Sequence, residues 1–154
     1  MDPIAELAAA SLAFVGTHFA LSHPLRAPLV ARLGEKGFLP VYSLVAFATL
    51  GWMILAFRAA PTADLPGSGE IGWIASTLLT IPALLLFLGS LRNNPALPAP
   101  GAMAAAAREP AGVFAVTRHP MMWGFALWAL SHIVLWWSVR TLIVAGAVLF
   151  LALV

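Results

Sequence analysis

Apolar residues in this chain gather into five long runs instead of recurring with a helical or strand period: Ile4–Leu21, Phe38–Phe57, Ile71–Leu91, Met121–Trp137 and Thr141–Val154. A helix rises 1.5 Å per residue, so runs of about twenty residues match the roughly 30 Å hydrocarbon core of a bilayer. The pattern predicts an all-α fold, a polytopic transmembrane helical bundle of about five spans. Membrane β-strands would alternate apolar and polar residues over about ten positions, and no such alternation is present. The fifth run covers only residues 141–154 and would reach roughly 21 Å, so the last span is expected to be truncated, with a C-terminal piece beyond Val154. No solenoid-length repeat divides the sequence, and residues 1–154 are expected to form a single transmembrane domain.

Composition strengthens this reading. Of the 154 residues, 62% are hydrophobic and 9% charged, against about 45–50% and about 25% in soluble domains. The net charge of +2 comes from only eight Lys and Arg, and these sit between the apolar runs. Topology accounts for them, and no nucleic-acid partner is expected. The partners implied are the lipid bilayer and a hydrophobic small-molecule substrate. The absence of cysteine excludes a disulfide framework, thiolate catalysis and thiolate-ligated metals. Asp2 and Glu6 precede the first run without a Lys or Arg, unlike a signal peptide, so that run is expected to be a retained span.

Alternating the runs across a bilayer collects Arg26, Arg32, Lys36, Arg92, Arg108 and Arg118 on one side and Arg58 and Arg140 on the other. The positive-inside rule then predicts a multi-pass protein of a bacterial inner membrane with its N-terminus outside and the loops Arg26–Lys36 and Arg92–Arg118 in the cytoplasm. Trp73, Trp136 and Trp137 fall near the outer interface, where indoles are favoured. The Pro- and Ala-rich stretch Asn93–Pro110 reads as a flexible linker or as a lid.

Chemistry has few candidates. Walker loops, GxGxxG, HExxH and GxSxG are all missing, and the six Asp and Glu lie near or outside the span ends. Four histidines remain: His18, His23, His119 and His132. His18 and His132 lie inside the first and fourth apolar runs, where an ionisable side chain is expensive and marks a functional site by default. Each could be a neutral imidazole bonded to a neighbouring helix, but two in a bundle with so few polar groups point toward a shared ligand. His23, before Pro24, reads as an interfacial or capping residue. His119 lies thirteen residues before His132, about 220° away around a helix, so the two do not face one partner. Phe125, Trp128, Ala129 and Trp136 share the predicted face of His132.

Three pieces resemble the NnrU family of bacterial membrane proteins: His18 with Ser22 and Arg26; Leu33-Gly34-Glu35-Lys36 leading to Tyr42-Ser43-Leu44-Val45; and Arg118-His119-Pro120-Met121 with Gly124, Leu127-Trp128-Ala129-Leu130 and His132. By its name that family is associated with denitrification and nitric oxide metabolism, and it is similar to cis-zeta-carotene isomerase, a membrane enzyme carrying heme b on histidines. The resemblance implies heme b as cofactor, with His18 and His132 as the metal-binding axial ligands. It makes Arg118 and His119 further cofactor-binding candidates, with Arg118 expected to meet a heme propionate or a cofactor carboxylate; Ser22, one turn beyond His18, is a candidate for orienting that imidazole. Pairing His18 with His119 would put the heme at the cytoplasmic edge; the resemblance favours His132. The isomerase has a cysteine where this chain has Ala129, and a second-span histidine where it reads Ala56-Phe57-Arg58, so a heme-dependent isomerase-like activity does not transfer whole.

Two other readings compete. Arg118, His119, Pro120 and Gly124 resemble part of the S-adenosylmethionine site of isoprenylcysteine and phospholipid methyltransferases, although Met122 stands at their aromatic position. A non-catalytic assembly or regulatory component would need no cofactor.

Overall fold

A computed structural model of the chain describes residues 2–62, 68–92, 94–95 and 106–154, and all regular elements among them are helices. They are α1 Pro3–Ser22, α2 Arg26–Ala59, α3 Gly69–Gly89, α4 Val113–Val116, α5 Pro120–Leu135 and α6 Val139–Leu153. The all-α expectation holds, and the five long helices overlie the five apolar runs. By length and composition α1, α2 and α3 can cross a membrane, while α5 and α6 have only 16 and 15 residues. The fourth run was expected to be a full span, yet 16 residues rise only about 24 Å. It is shorter than its apolar run because Trp136 leaves the helix at φ −125°, ψ 100°. Ser138 then caps the next helix, its Oγ accepting from the Thr141 amide at 3.2 Å. The stretch read as linker or lid lies mostly outside the described residues.

The chain forms two compact units, residues 1–65 with 138–147 and residues 66–137 with 148–154. In the first, Asp2 caps α1 by accepting from the Ala5 amide at 2.9 Å, Pro3 opens the helix and Glu6 sits in its first turn. All three favour a helix start. α1 packs antiparallel on α2 through Leu7, Ala10, Met53, Ala56 and Ala60, with Ile143 and Val144 of α6 against this core. Three alanines among the five core residues let the backbones come close, which is how membrane helices associate.

The segment Arg26–Lys36, expected to be a loop, is helical up to a break at Gly34, which has φ 70° and ψ 166°. Ala27, Leu29, Val30, Ala31 and Leu33 support the helix, and Pro28 is tolerated in a first turn. At the far end of α2 lies Arg140, which composition had placed in a connecting loop. It occupies the first turn of α6, with Nη1 donating to the Ala60 carbonyl at 3.3 Å and the guanidinium 4.6 Å from the Phe57 ring. A helix C-terminus carries partial negative charge, so a cation is favourable there.

In the second unit α3 and α5 run antiparallel. Ser68 Oγ, just before α3, reaches the Leu135 carbonyl at the end of α5 at 3.5 Å. A Cβ on Gly124 would lie 3.1 Å from both the Ala83 carbonyl oxygen and Phe87 Cβ, so glycine is what lets α5 approach α3 there. Beyond it Phe87 meets Phe125 at 5.3 Å between ring centroids, and Val113 of α4 packs on Gly89. Trp73 near the start of α3 shares one end of this pair with Trp136 and Trp137.

Candidate functional site

Each unit places one half-buried histidine on a long helix, and the local geometry of the two is the same. His18 Nδ1 lies 2.8 Å from the Phe14 carbonyl oxygen, and His132 Nδ1 lies 2.9 Å from that of Trp128. A carbonyl only accepts, so Nδ1 of each neutral ring carries the proton and Nε2 keeps its lone pair. Helical side chains lean toward the N-terminus, which brings the ring over the turn four residues earlier. The aromatic side chain at that position then packs on the imidazole: Phe14 at 4.3 Å from His18 and Trp128 at 4.2 Å from His132. The same direction corrects the assignment of Ser22, which lies one turn after His18 and is exposed. The group that orients His18 is the Phe14 carbonyl.

Beyond this shared core the two sites differ. His18 receives a second helix: the Tyr42 ring of α2 meets it edge-on at 5.7 Å, and Phe38, 1% exposed, supports Tyr42 at 5.9 Å. His132 is served by its own helix, where Ser131 Oγ donates to the Trp128 carbonyl at 2.7 Å and lies 3.3 Å from His132 Nδ1. Trp136 does not extend the aromatic face predicted for His132, because the helix has ended before it. Ala129 is buried, and Phe125 turns to Phe87.

The remaining candidates stand apart. His23 follows α1 as its C-cap, as expected, and stacks on Phe19 at 4.6 Å. His119 caps the N-terminus of α5 and is exposed beside exposed Arg118, its amide donating to Thr117 Oγ1 at 3.3 Å. The thirteen residues from His119 to His132 amount to about 20 Å of rise along α5, so Arg118 and His119 do not share a site with His132.

Tyr42 and Phe14 are the neighbours of His18 that residue reasoning missed. An aromatic residue four positions before a histidine was the available signal, and it occurs at Phe14, Phe19 and Trp128. At His23 it is accompanied by no bond from the ring, so the spacing alone does not distinguish a pinned imidazole.

Among the described residues no three His, Cys, Asp or Glu side chains gather as a closed ion cage would need. Heme brings four nitrogens of its own and asks the protein for one or two axial ligands, so single imidazoles with an open Nε2 fit it. The buried hydroxyl of Ser11, seven residues before His18 on the same face of α1, has no hydrogen-bond partner among the described residues.

Three apolar helices of membrane-spanning length define a helical membrane protein, in which His18 and His132 are each pinned to the carbonyl one turn earlier. Residues 6–154 match the family described as NnrU protein, and the chain belongs to the NnrU family. No curated protein and no solved structure matches it.

Proposed function

We propose that this NnrU-family chain binds heme b, and that His18 and His132 are the residues whose Nε2 atoms would hold its iron. The observation that carries the reading is the pair of matched Nδ1–carbonyl bonds, which hold both rings in the tautomer that leaves Nε2 free to coordinate. Heme supplies an iron whose redox potential responds to its axial ligands and their hydrogen bonds. The chain's own residues orient the imidazoles through the carbonyl bonds and set Phe14, Tyr42 and Trp128 against them.

The activity proposed is a role in nitric oxide metabolism or a heme-dependent, isomerase-like reaction on a hydrophobic substrate. The setting is a bacterial inner membrane, with the N-terminus outside, following the bias of Lys and Arg. Arg118, at the opposite end of α5 from His132, is assigned a separate anionic group such as a carboxylate, held through its guanidinium fork. Arg118→Lys keeps the charge and loses the fork, so an unchanged affinity in that variant would leave Arg118 as a membrane anchor only.

The absorption spectrum of the detergent-purified chain reconstituted with heme tests the reading. A Soret band with a six-coordinate low-spin spectrum is expected, lost in His18→Ala and in His132→Ala and kept in His119→Ala. Retention in either of the first two variants would overturn the ligand assignment. A colourless protein that binds S-adenosylmethionine would favour the methyltransferase reading, and one that takes up neither compound the non-catalytic one.

A further inference from the structure

The segment 23–36, which joins α1 to the long second part of α2, serves neither histidine site. It holds His23, Arg26, Arg32 and Lys36 against a single acid, Glu35. That acid is engaged: Arg26 Nη2 lies 3.4 Å from Glu35 Oε1 across the break at Gly34, with the Arg26 guanidinium 5.2 Å from the Phe38 ring. Arg32 and Lys36 are exposed and have no ion-pair partner among the described residues.

Apolar side chains share this surface. Leu25, Leu29 and Leu33 recur every four residues and form one stripe, and Leu25 and Leu33 are 46% and 47% exposed. Arg26 and Arg32 lie three residues before and after Leu29, which places them about 60° to either side of the stripe. A leucine stripe edged by arginines is the pattern of a helix lying in the plane of a membrane surface, its cationic heads reaching out on aliphatic stems.

The length of α2 agrees. Its 34 residues would rise about 51 Å if continuous, well beyond the roughly 30 Å hydrocarbon core. The chain turns at Gly34, whose φ of 70° with ψ of 166° belongs to a region that side chains other than glycine's scarcely enter.

We propose that this elbow is a binding surface for anionic lipid. The helical turn before Gly34 lies at the bilayer surface with Leu25, Leu29 and Leu33 in the acyl boundary, and Arg32 and Lys36 hold the headgroup phosphate. The Arg26–Glu35 pair bridges the turn and removes the one acid that would compete for those cations. A soluble phosphate would use the cations and leave the leucines in water, which is why a lipid headgroup is the occupant.

The test places the full chain in phosphatidylcholine vesicles and compares spin-labelled phosphatidylglycerol with spin-labelled phosphatidylcholine in the lipid layer next to the protein. A preference of about five-fold to thirty-fold for phosphatidylglycerol is expected, the size of one to two cations engaged at the membrane surface. It should fall to near unity in Arg32→Gln/Lys36→Gln, persist in Arg32→Lys/Lys36→Arg, and persist in Arg58→Gln at the other end of α2. In the unmodified chain it should also weaken as salt is raised, since exposed charges are screened. An absent or salt-insensitive preference, one that survives the double glutamine substitution, or one equally lost in Arg58→Gln would overturn the proposal. Displacement of the labelled lipid by millimolar inorganic phosphate would overturn it too, assigning the cations to a soluble anion.

Discussion

His18 and His132 are alike where each touches its own helix and unlike everywhere else. Both rings are pinned by the carbonyl four residues earlier and covered by an aromatic side chain from the same position. Among the described residues an aromatic ring from a neighbouring helix meets His18, Tyr42 with Phe38 beneath it, whereas His132 has Ser131 from its own helix. The comparison separates two contributions to a ligand site. The tautomer is a property of helical geometry and follows wherever a histidine leans on an open carbonyl. The walls of the site are a property of packing and depend on what a second helix presents.

The largest expected way to break the comparison is Phe38→Ala. Phe38 is almost fully buried and supports both Tyr42 and the Arg26 guanidinium, so truncation leaves a cavity under the wall of His18. A loss of about 3 kcal/mol is expected for a buried Phe→Ala change. Thermal unfolding in detergent would read it, and nitrogen NMR of labelled histidines should show the disturbance at His18.

Gly124→Leu attacks the other unit. With the Ala83 carbonyl and Phe87 already 3.1 Å from where a Cβ would sit, a larger side chain must push α5 off α3. The expected destabilisation is about 2 kcal/mol by overpacking, again visible in thermal unfolding. The His132 Nδ1 proton should survive, because its acceptor belongs to α5 itself. Loss of the Nδ1-protonated signal would show that the tautomer depends on α3 after all.

Ser131→Ala has the smallest expected effect and sharpens the comparison most. It removes a hydroxyl 3.3 Å from His132 Nδ1 and leaves the Trp128 carbonyl as the ring nitrogen's contact, as the Phe14 carbonyl is at His18. A stability change of about 0.5 kcal/mol, the low end for one hydrogen bond, is expected with no change of tautomer. A switch of the NMR signal to the Nε2-protonated form would assign the pinning to Ser131.

The fold class was legible because a bilayer demands long apolar helices, and nothing else produces runs such as Phe38–Phe57 and Ile71–Leu91. Helix ends were less legible where composition and conformation part. Trp136 and Trp137 are as apolar as the helix before them, and it is Ser138 capping the next helix that marks the stop. Arg26–Lys36 looked like a loop because it carries charge, yet helix propensity tolerates Arg and Lys well, and only Gly34 interrupts it.

By itself the sequence determined that this is an all-α chain with membrane-length helices, that His18 and His132 are its internal titratable groups, and which family motifs it carries. Those follow from residue identity and one-dimensional spacing, since hydropathy and helical rise act along the chain. Only the tertiary structure decided that Tyr42 and Phe38 stand against His18, that Gly124 admits α3 and that Arg140 closes the end of α2. Each of these depends on which residues packing brings together or holds apart in space, and hydropathy along the chain carries no information about that.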